Sequence, residues 1–131
     1  MKAKTILSLT LRLVAAFILL QTLYFKFTAQ PESVYIFTKV GIEPWGRIAT
    51  GVAELIASIL LLVPATIVIG SLMAAGIMLG ALATHLFILG FEVQGDGGQL
   101  VIYAIIVLVA SISLLFLHFQ QLMSYKTRLI R

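Results

Sequence analysis

The sequence predicts an all-α integral membrane protein, an antiparallel bundle of four transmembrane helices with a short interfacial helix in the first outer loop. Three observations carry this. Of 131 residues, 61% are hydrophobic and 11% charged, with a mean hydropathy of +1.13, whereas a soluble domain is roughly half apolar and about a quarter charged. The apolar residues fall in four runs, at about residues 5–28, 46–63, 66–90 and 99–120, each close to the roughly 20 residues that cross the hydrocarbon. The "VPAT" turn between the second and third runs is so short that these spans must be antiparallel neighbours. The spans use most of the chain, so one domain covers 1–131 and little is left for a soluble catalytic unit.

Each element has a local reason. "MKAKTILSLTLRLVAAFILLQTLYFKF" begins like a signal peptide, but Arg12 interrupts its apolar run and no small-x-small pattern follows before Pro31, so it reads as a retained first span. In "AQPESVYIFTKVGIEPW", Pro31 suits a helix start, Val34, Ile36 and Phe37 supply an apolar side, and Gly41 stops the helix. Trp45 then sits at the membrane interface. Pro64 ends the second span. "GDGG" is a turn rather than a phosphate loop, because no strand precedes it.

The net charge of +4 and pI of 9.7 do not describe a nucleic-acid-binding face, since the basic residues lie at the chain ends and helix boundaries. They are read as topology signals. Lys2, Lys4 and Arg12 open the first span, Lys126, Arg128 and Arg131 follow the last, and the loop after span three holds only Glu92 and Asp96. That bias places both termini in the cytoplasm, although Lys26, Lys39 and Arg47 lie on the outer side. There is no cysteine, which excludes a disulfide, a thiolate zinc site, a cysteinyl iron–sulfur cluster and covalent haem.

The stretch "GRIATGVAELIASILLLVP" raises the functional question, because it is apolar enough to span a bilayer yet contains Glu54. An intramembrane carboxylate is costly unless paired, protonated or facing a polar cavity. At about 1.5 Å per residue, Glu54 lies about 12 Å and His85 about 8 Å below the outer ends of their spans. Gln21, Tyr24 and Lys26 in span one, Arg47 opening span two, and Gln99 and Tyr103 opening span four reach the same level. Helical phase groups Arg47, Thr50, Gly51, Glu54, Ser58 and Leu61 into one stripe. Comparable inward rows are Ala74, Met78, Ala81 and His85, and Gln99, Tyr103, Ile106, Ala110 and Ser113. Gly76, Gly80 and Thr84 form a separate small-residue ridge suited to close helix packing within the chain or against a second copy.

Glu54 and His85 are therefore candidates for a proton relay, with Lys26, Arg47, Gln21, Tyr24, Gln99 and Tyr103 as candidate ligand-binding residues in a pocket that opens outward. The competing reading is an ion pair that only fixes helix register. His118 lies at the opposite depth, so it and His85 cannot share a haem. No metal is assigned: a site would need Glu54, His85 and Asp96 together with waters, and no metal-ligand spacing or Ser-His-acid arrangement is present.

The second span and its approaches resemble the DoxX-like family of small four-span bacterial membrane proteins. The resemblance runs from about residue 24 to 86 and rests on Lys26 closing span one, "G-x-x-P-W" from Gly41 to Trp45, "G-x-x-E-L" from Gly51 to Leu55, the apolar run to Pro64, and "A-x-x-T-H" from Ala81 to His85. Where the family usually has a glycine three residues before the lysine, this chain has Leu23. The resemblance implies Lys26, Glu54 and His85 as shared features and a quinone-facing role, since members resemble the small subunit of thiosulfate:quinone oxidoreductase. Without cysteines, thiosulfate oxidation is not expected of this chain alone. Three readings stay open: a quinone-associated subunit of a membrane redox complex, a non-catalytic accessory or scaffold subunit, and an amphiphile-binding protein or small transporter. Whether the chain is an enzyme is open in all three. The expected partners are the lipid bilayer, other membrane subunits and a second copy of the chain, with no nucleic acid; the only cofactor implied is a non-covalently held quinone.

Overall fold

The computed structural model describes residues 2–121, 123 and 124; Lys126, Arg128 and Arg131 lie outside them. It is all helical among the described residues. Helix α1 spans Ala3–Phe27, α2 Pro31–Val40, α3 Trp45–Leu62, α4 Ile67–Thr84 and α5 Gln99–Leu117. A single 3₁₀ turn, Pro64–Thr66, joins α3 to α4, and a π-helical turn, His85–Leu89, extends α4. Four helical stretches, α1, α3, the continuous segment Pro64–Leu89 and α5, are long and apolar enough to cross a membrane. The chain is thus a multi-pass membrane protein.

The helices pack in a closed ring, α1 on α3, α3 on α4, α4 on α5 and α5 back on α1. Polar contacts fix the antiparallel sense. Ser8 in the first turns of α1 meets His118 just beyond α5, Oγ to Nε2 at 2.7 Å, and Arg12 reaches the last turn of α3. We call this the terminal end, and the opposite end, which carries α2 and the 90–98 loop, the loop end. Small side chains let the helices approach: Ala15, Ala57, Ala74, Ala104 and Ala110 sit in the core with Leu19, Leu61, Val107 and Leu114. Such contacts, rather than hydrophobicity, hold helices together in lipid. Large residues such as Phe17, Leu72, Leu79, Phe87, Val109 and Phe116 point outward to the acyl chains.

The inward rows of α3 and α4 follow the predicted phase, with Glu54, Ser58, Leu61, Ala74, Met78 and His85 all buried. Helix α5 is corrected. Its inward row is Ala104, Val107, Ser111 and Leu114 with Ala110, whereas Ile106 faces outward and Ser113 is half-buried. This helix is apolar all round, so its polar residues gave the wrong rotation. The third span also ends differently from a plain helix to residue 90. Gly90 N–H donates to the His85 carbonyl at 2.7 Å, a five-residue return, and Gly90 adopts φ +82, a backbone conformation that only glycine takes readily.

The last carbonyls of a helix have no intrahelical partner, and those covered by protein need another donor. Pro64 has no N–H to offer Leu60, and the Thr66 hydroxyl donates to the Leu60 carbonyl instead, at 2.8 Å. Arg12 Nε donates to Leu61 O at 2.6 Å and its Nη2 to Leu62 O at 2.8 Å. Gln121 completes the turn, accepting from Val68 N–H at 3.0 Å and donating to Pro64 O at 3.1 Å. Arg12, expected as a topology signal, is therefore buried in the bundle as the C-terminal cap of α3, where its charge also complements the helix dipole. At the tightest crossing, a Cβ on Gly70 would come within 2.7 Å of Leu61 N.

Replacing Arg12 by leucine strands two carbonyls, and hydrogen bonds to a charged group are worth about 1.5–3 kcal/mol each. Arg12→Leu should lower stability in detergent by about 2–4 kcal/mol, read as a lower thermal midpoint, with Arg12→Lys recovering part of the loss. An unchanged midpoint would remove this cap from the account.

Candidate functional site

Glu54 is placed in the middle of α3 on the face that meets α1, and it is 3% exposed. Its Oε1 lies 3.1 Å from Lys26 Nζ and its Oε2 3.2 Å from the same ammonium. Thr22, one turn before Lys26, contacts Oε2 at 2.9 Å through Oγ1, which also lies 2.8 Å from the Leu19 carbonyl. A hydroxyl has one proton and two lone pairs. Thr22 can therefore donate to an ionised Glu54, or accept from a protonated one while donating to Leu19, so the contact set accommodates either state. Ser58 donates back to the Glu54 carbonyl at 2.8 Å.

These groups line a cavity of about 590 Å³ in the loop-side half of the bundle, within the roughly 300–1,000 Å³ usual for ligand pockets. Gln21, Thr22 and Lys26 come from α1, Thr50 and Glu54 from α3, Thr84 and His85 from α4 and its π turn, and Gln99 and Tyr103 from α5. The remaining wall is largely apolar, including Ile18, Leu19, Ile77, Met78 and Ala104. Helix α2 covers the loop end with Glu32, Ser33, Ile36, Phe37 and Val40, and it packs on α1, α3 and the π turn. Its boundaries follow from sequence, with Pro31 in the first turn and Gly41 closing it at φ +91; on its inner side Ser33 is buried and Ile36, Phe37 and Val40 are half-buried.

The π turn aims His85. The ring Nδ1 donates to the Gly90 carbonyl at 3.0 Å, which leaves Nε2 as the free nitrogen of a side chain that is 8% exposed. With Nδ1 holding a proton, neutral His85 presents an acceptor at Nε2 and protonated His85 a donor. Gln99 donates to the Tyr103 hydroxyl at 2.8 Å on the same side. Polar groups thus stand on opposite walls, Lys26, Thr22 and Glu54 on one and His85, Gln99 and Tyr103 on the other.

Two predicted residues are placed elsewhere. Tyr24 is 61% exposed, does not line the cavity and packs edge-on against Phe25. Arg47 is buried but also outside the cavity wall: Nε donates to Glu43 Oε1 at 2.8 Å and Nη1 to the Lys26 carbonyl, so it caps the end of α1 as Arg12 caps α3. Sequence reasoning missed Thr22, Glu32 and the roofing by α2. Thr22 was detectable, because it stands four residues before Lys26 on one helix face; the approach of α2 had no local signal. Among the described residues, nothing lies within 4 Å of a Cβ built on Gly76 or Gly80.

At the loop end, Asp96 organises the 90–98 loop. It accepts from the N–H groups of Val93 at 3.0 Å, Gly98 at 2.8 Å and Leu100 at 3.3 Å, the last in the first turn of α5. Burial works to raise its pKa, but the three N–H donors and nearby His85 outweigh it and hold the carboxyl below its ordinary value. Glu32 shifts the other way, raised by burial and then by the Asp96 charge. Among the described residues, no three His, Cys, Asp or Glu side chains come together as a metal-binding group.

With this geometry in hand, comparison with known families is decisive for class. The DoxX-like family model matches residues 10–114. The chain belongs to the DoxX-like family. No curated protein and no solved structure matches it. In this DoxX-like chain the motif residues Lys26, Glu54 and His85 all border one cavity, two of them as an ion pair.

Two measurements follow. Removing one partner of a buried pair leaves the other uncompensated, so Lys26→Met should cost more stability than Lys26→Met/Glu54→Gln, with a coupling of about 1–3 kcal/mol in a double-mutant cycle. Additive costs would mean that the pair is not formed. For Asp96, a depressed folded-state pKa gives stability that is complete above the ordinary carboxylate range and lost as pH falls through the folded value. Asp96→Ala should therefore destabilise by about 1 kcal/mol at neutral pH, as loss of a helix cap does, and the gap between its melting curve and wild type should close on acidification.

Proposed function

We propose that this DoxX-like protein binds an isoprenoid quinone in the loop-side cavity and serves a membrane redox complex. The observation that carries the reading is the pairing of an apolar, ligand-sized cavity with proton-handling groups on opposite walls. A quinone headgroup has two carbonyls across a ring, and it needs two donors facing each other. Lys26 supplies one side, and protonated His85 or Tyr103 the other. Reduction to quinol takes two electrons and two protons. In this reading the electrons come from a partner redox protein, because the cysteine-free chain has no cysteinyl cluster, and the protons pass through His85 Nε2 and the Glu54 carboxyl. The two hydrogen-bonding arrangements of Thr22 support Glu54 in that role, since the carboxyl keeps a partner whether or not it holds a proton.

The same reading sets the orientation. Exposed Lys2 and Lys4 lie at the terminal end and Glu92 with Asp96 at the loop end, so we infer a cytoplasmic terminal end and a cavity in the outer half of the inner membrane. The second reading, an accessory subunit whose polar layer only fixes register, is favoured by the Lys26–Glu54 pair being closed on itself.

The test is to purify the chain in mild detergent, extract it with organic solvent and quantify quinone by mass spectrometry. Wild type and Tyr24→Phe, which lies outside the cavity, should carry near-stoichiometric quinone. Glu54→Gln/His85→Ala should retain about tenfold less, a change of about 1.4 kcal/mol. Quinone absent from wild type, or equally retained in the double variant, would move the assignment to the accessory subunit.

A further inference from the structure

The cavity is not bounded all round by protein. The α3–α4 pair is in contact at the terminal end, where Gly70 fits against Leu60 and Leu61 so closely that a Cβ would strike their backbone. Gly70 thereby marks the face of α4 turned to α3. Two helical turns on, Ile77 and then Thr84 return to that face, with Gly80 beside it. On the facing side of α3 stand Ala49 and Ala53. Ile77, Gly80, Thr84, Ala49 and Ala53 border the cavity, as does Gly76, yet Ala49, Gly76 and Gly80 are also exposed on the surface of the molecule, and nothing described lies within 4 Å of a Cβ built on either glycine. A residue that borders a cavity and also faces outward lies at its mouth. The two helices therefore diverge from the Gly70 crossing and leave a gap edged by small side chains.

This gap opens sideways. It lies along the transmembrane stretch of α4 rather than at the loop end, which α2 roofs with Ile36, Phe37 and Val40, and the surface around it carries apolar side chains such as Val52, Ile56, Leu72 and Leu79. A ligand consisting only of a polar headgroup would have no use for an acyl-level exit. A ligand with a headgroup and a long apolar tail matches both features: the head meets Lys26, Glu54 and the free Nε2 of buried His85, and the tail leaves between α3 and α4.

We infer that the cavity exchanges its occupant directly with the bilayer through a lateral portal between α3 and α4, edged by Ala49, Ala53, Gly76 and Gly80, and that the occupant is a long-tailed amphiphile whose tail lies in this portal. The inference deepens the quinone reading by assigning the entry route and the tail site, but the portal itself depends only on the gap. The ridge of Gly76, Gly80 and Thr84, expected to pack against another helix, becomes the lip of the opening.

Two readouts test it separately from the headgroup. The chain has no native cysteine, so a nitroxide attached at Ala53→Cys reports that position alone in vesicles. An open portal gives high collision with oxygen and low collision with a water-soluble nickel reagent, as for acyl chains. Low values for both mean that protein, for example a second copy, seals the gap, and a high nickel value means a water-filled opening; either overturns the portal. Second, Gly76→Leu/Gly80→Leu fills open space without touching the headgroup residues. It should weaken binding of decyl-ubiquinone about tenfold while changing that of the tail-free parent benzoquinone less than twofold. Equal effects on the two probes, or none, overturn the tail site. If wild type binds neither probe while the nitroxide reports acyl chains, the quinone reading fails and the lateral portal stands.

Discussion

The backbone carbonyls at the ends of α1 and α3 are the constraint on which the rest of the structure depends. A buried carbonyl left without a donor costs about 1–3 kcal/mol. This chain meets that demand reciprocally: Arg12 of α1 donates to Leu61 and Leu62 at the end of α3, and Arg47 of α3 donates to Lys26 near the end of α1. Both arginines are buried, and each places positive charge where a helix dipole is negative. Two antiparallel helices capped by one another cannot slide by a turn without stranding carbonyls at both ends. Register in this pair is thus set by hydrogen-bond satisfaction, in a solvent where apolar burial discriminates poorly between registers.

Once α1 and α3 are locked, the placement of free volume follows. The Lys26–Glu54 pair adds a third tie within the same two helices. At the terminal end, the Pro64–Thr66 turn, Gly70 and Gln121 bind α4 closely to α3 and to the end of the chain. At the loop end nothing comparable joins α3 to α4, and the π turn displaces the end of α4 from a regular helical path. Space accordingly collects between α1, α3, α4 and α5 in that half, with α2 as its cover. His85 owes its aim to the same irregularity, because Gly90 closes the turn from both sides, donating to the His85 carbonyl and accepting from its ring.

How much of this was legible follows from which residues carry local signals. Pro31, Gly41 and Pro64 punctuate the chain by their own backbone restrictions, so α2 and the α3–α4 turn fell where the sequence placed them. The α3 stripe was readable because polar residues at three- and four-residue steps break an apolar background. Helix α5 has no such contrast, and its rotation was misjudged by one residue, with Ile106 turned outward. The role of Arg12 was hidden because charge near a chain end suggests topology, while its partners lie 49 and 50 residues away. Gln121, close to the end of the apolar run, gave no sign that it spans two helix ends. The level shared by Lys26, Glu54 and His85 was accessible from depth alone, but the division of labour between Lys26, which meets Glu54, and Arg47, which meets Glu43 and backbone, depended on geometry within about one helical turn.

A bundle that used its polar layer for register alone would have no reason to keep the volume beside it. Unfilled space in a core is costly, at about 24 cal/mol per Å³ for enclosed cavities, so a space of about 590 Å³ is not one that packing alone favours. Closing it would be simple in sequence terms, since larger side chains at Gly76, Gly80, Ala49 or Ala53 meet open space or border it. Water suits the polar depth of such a space but not the apolar wall that makes up most of it. The occupant we propose would remove that cost, being apolar over much of its length and polar at the end that meets Lys26, Glu54 and His85. In the proposed reading the small residues at the gap and the ionisable residues at its depth are two parts of one requirement: the first would admit a chain from the bilayer, and the second would hold its headgroup.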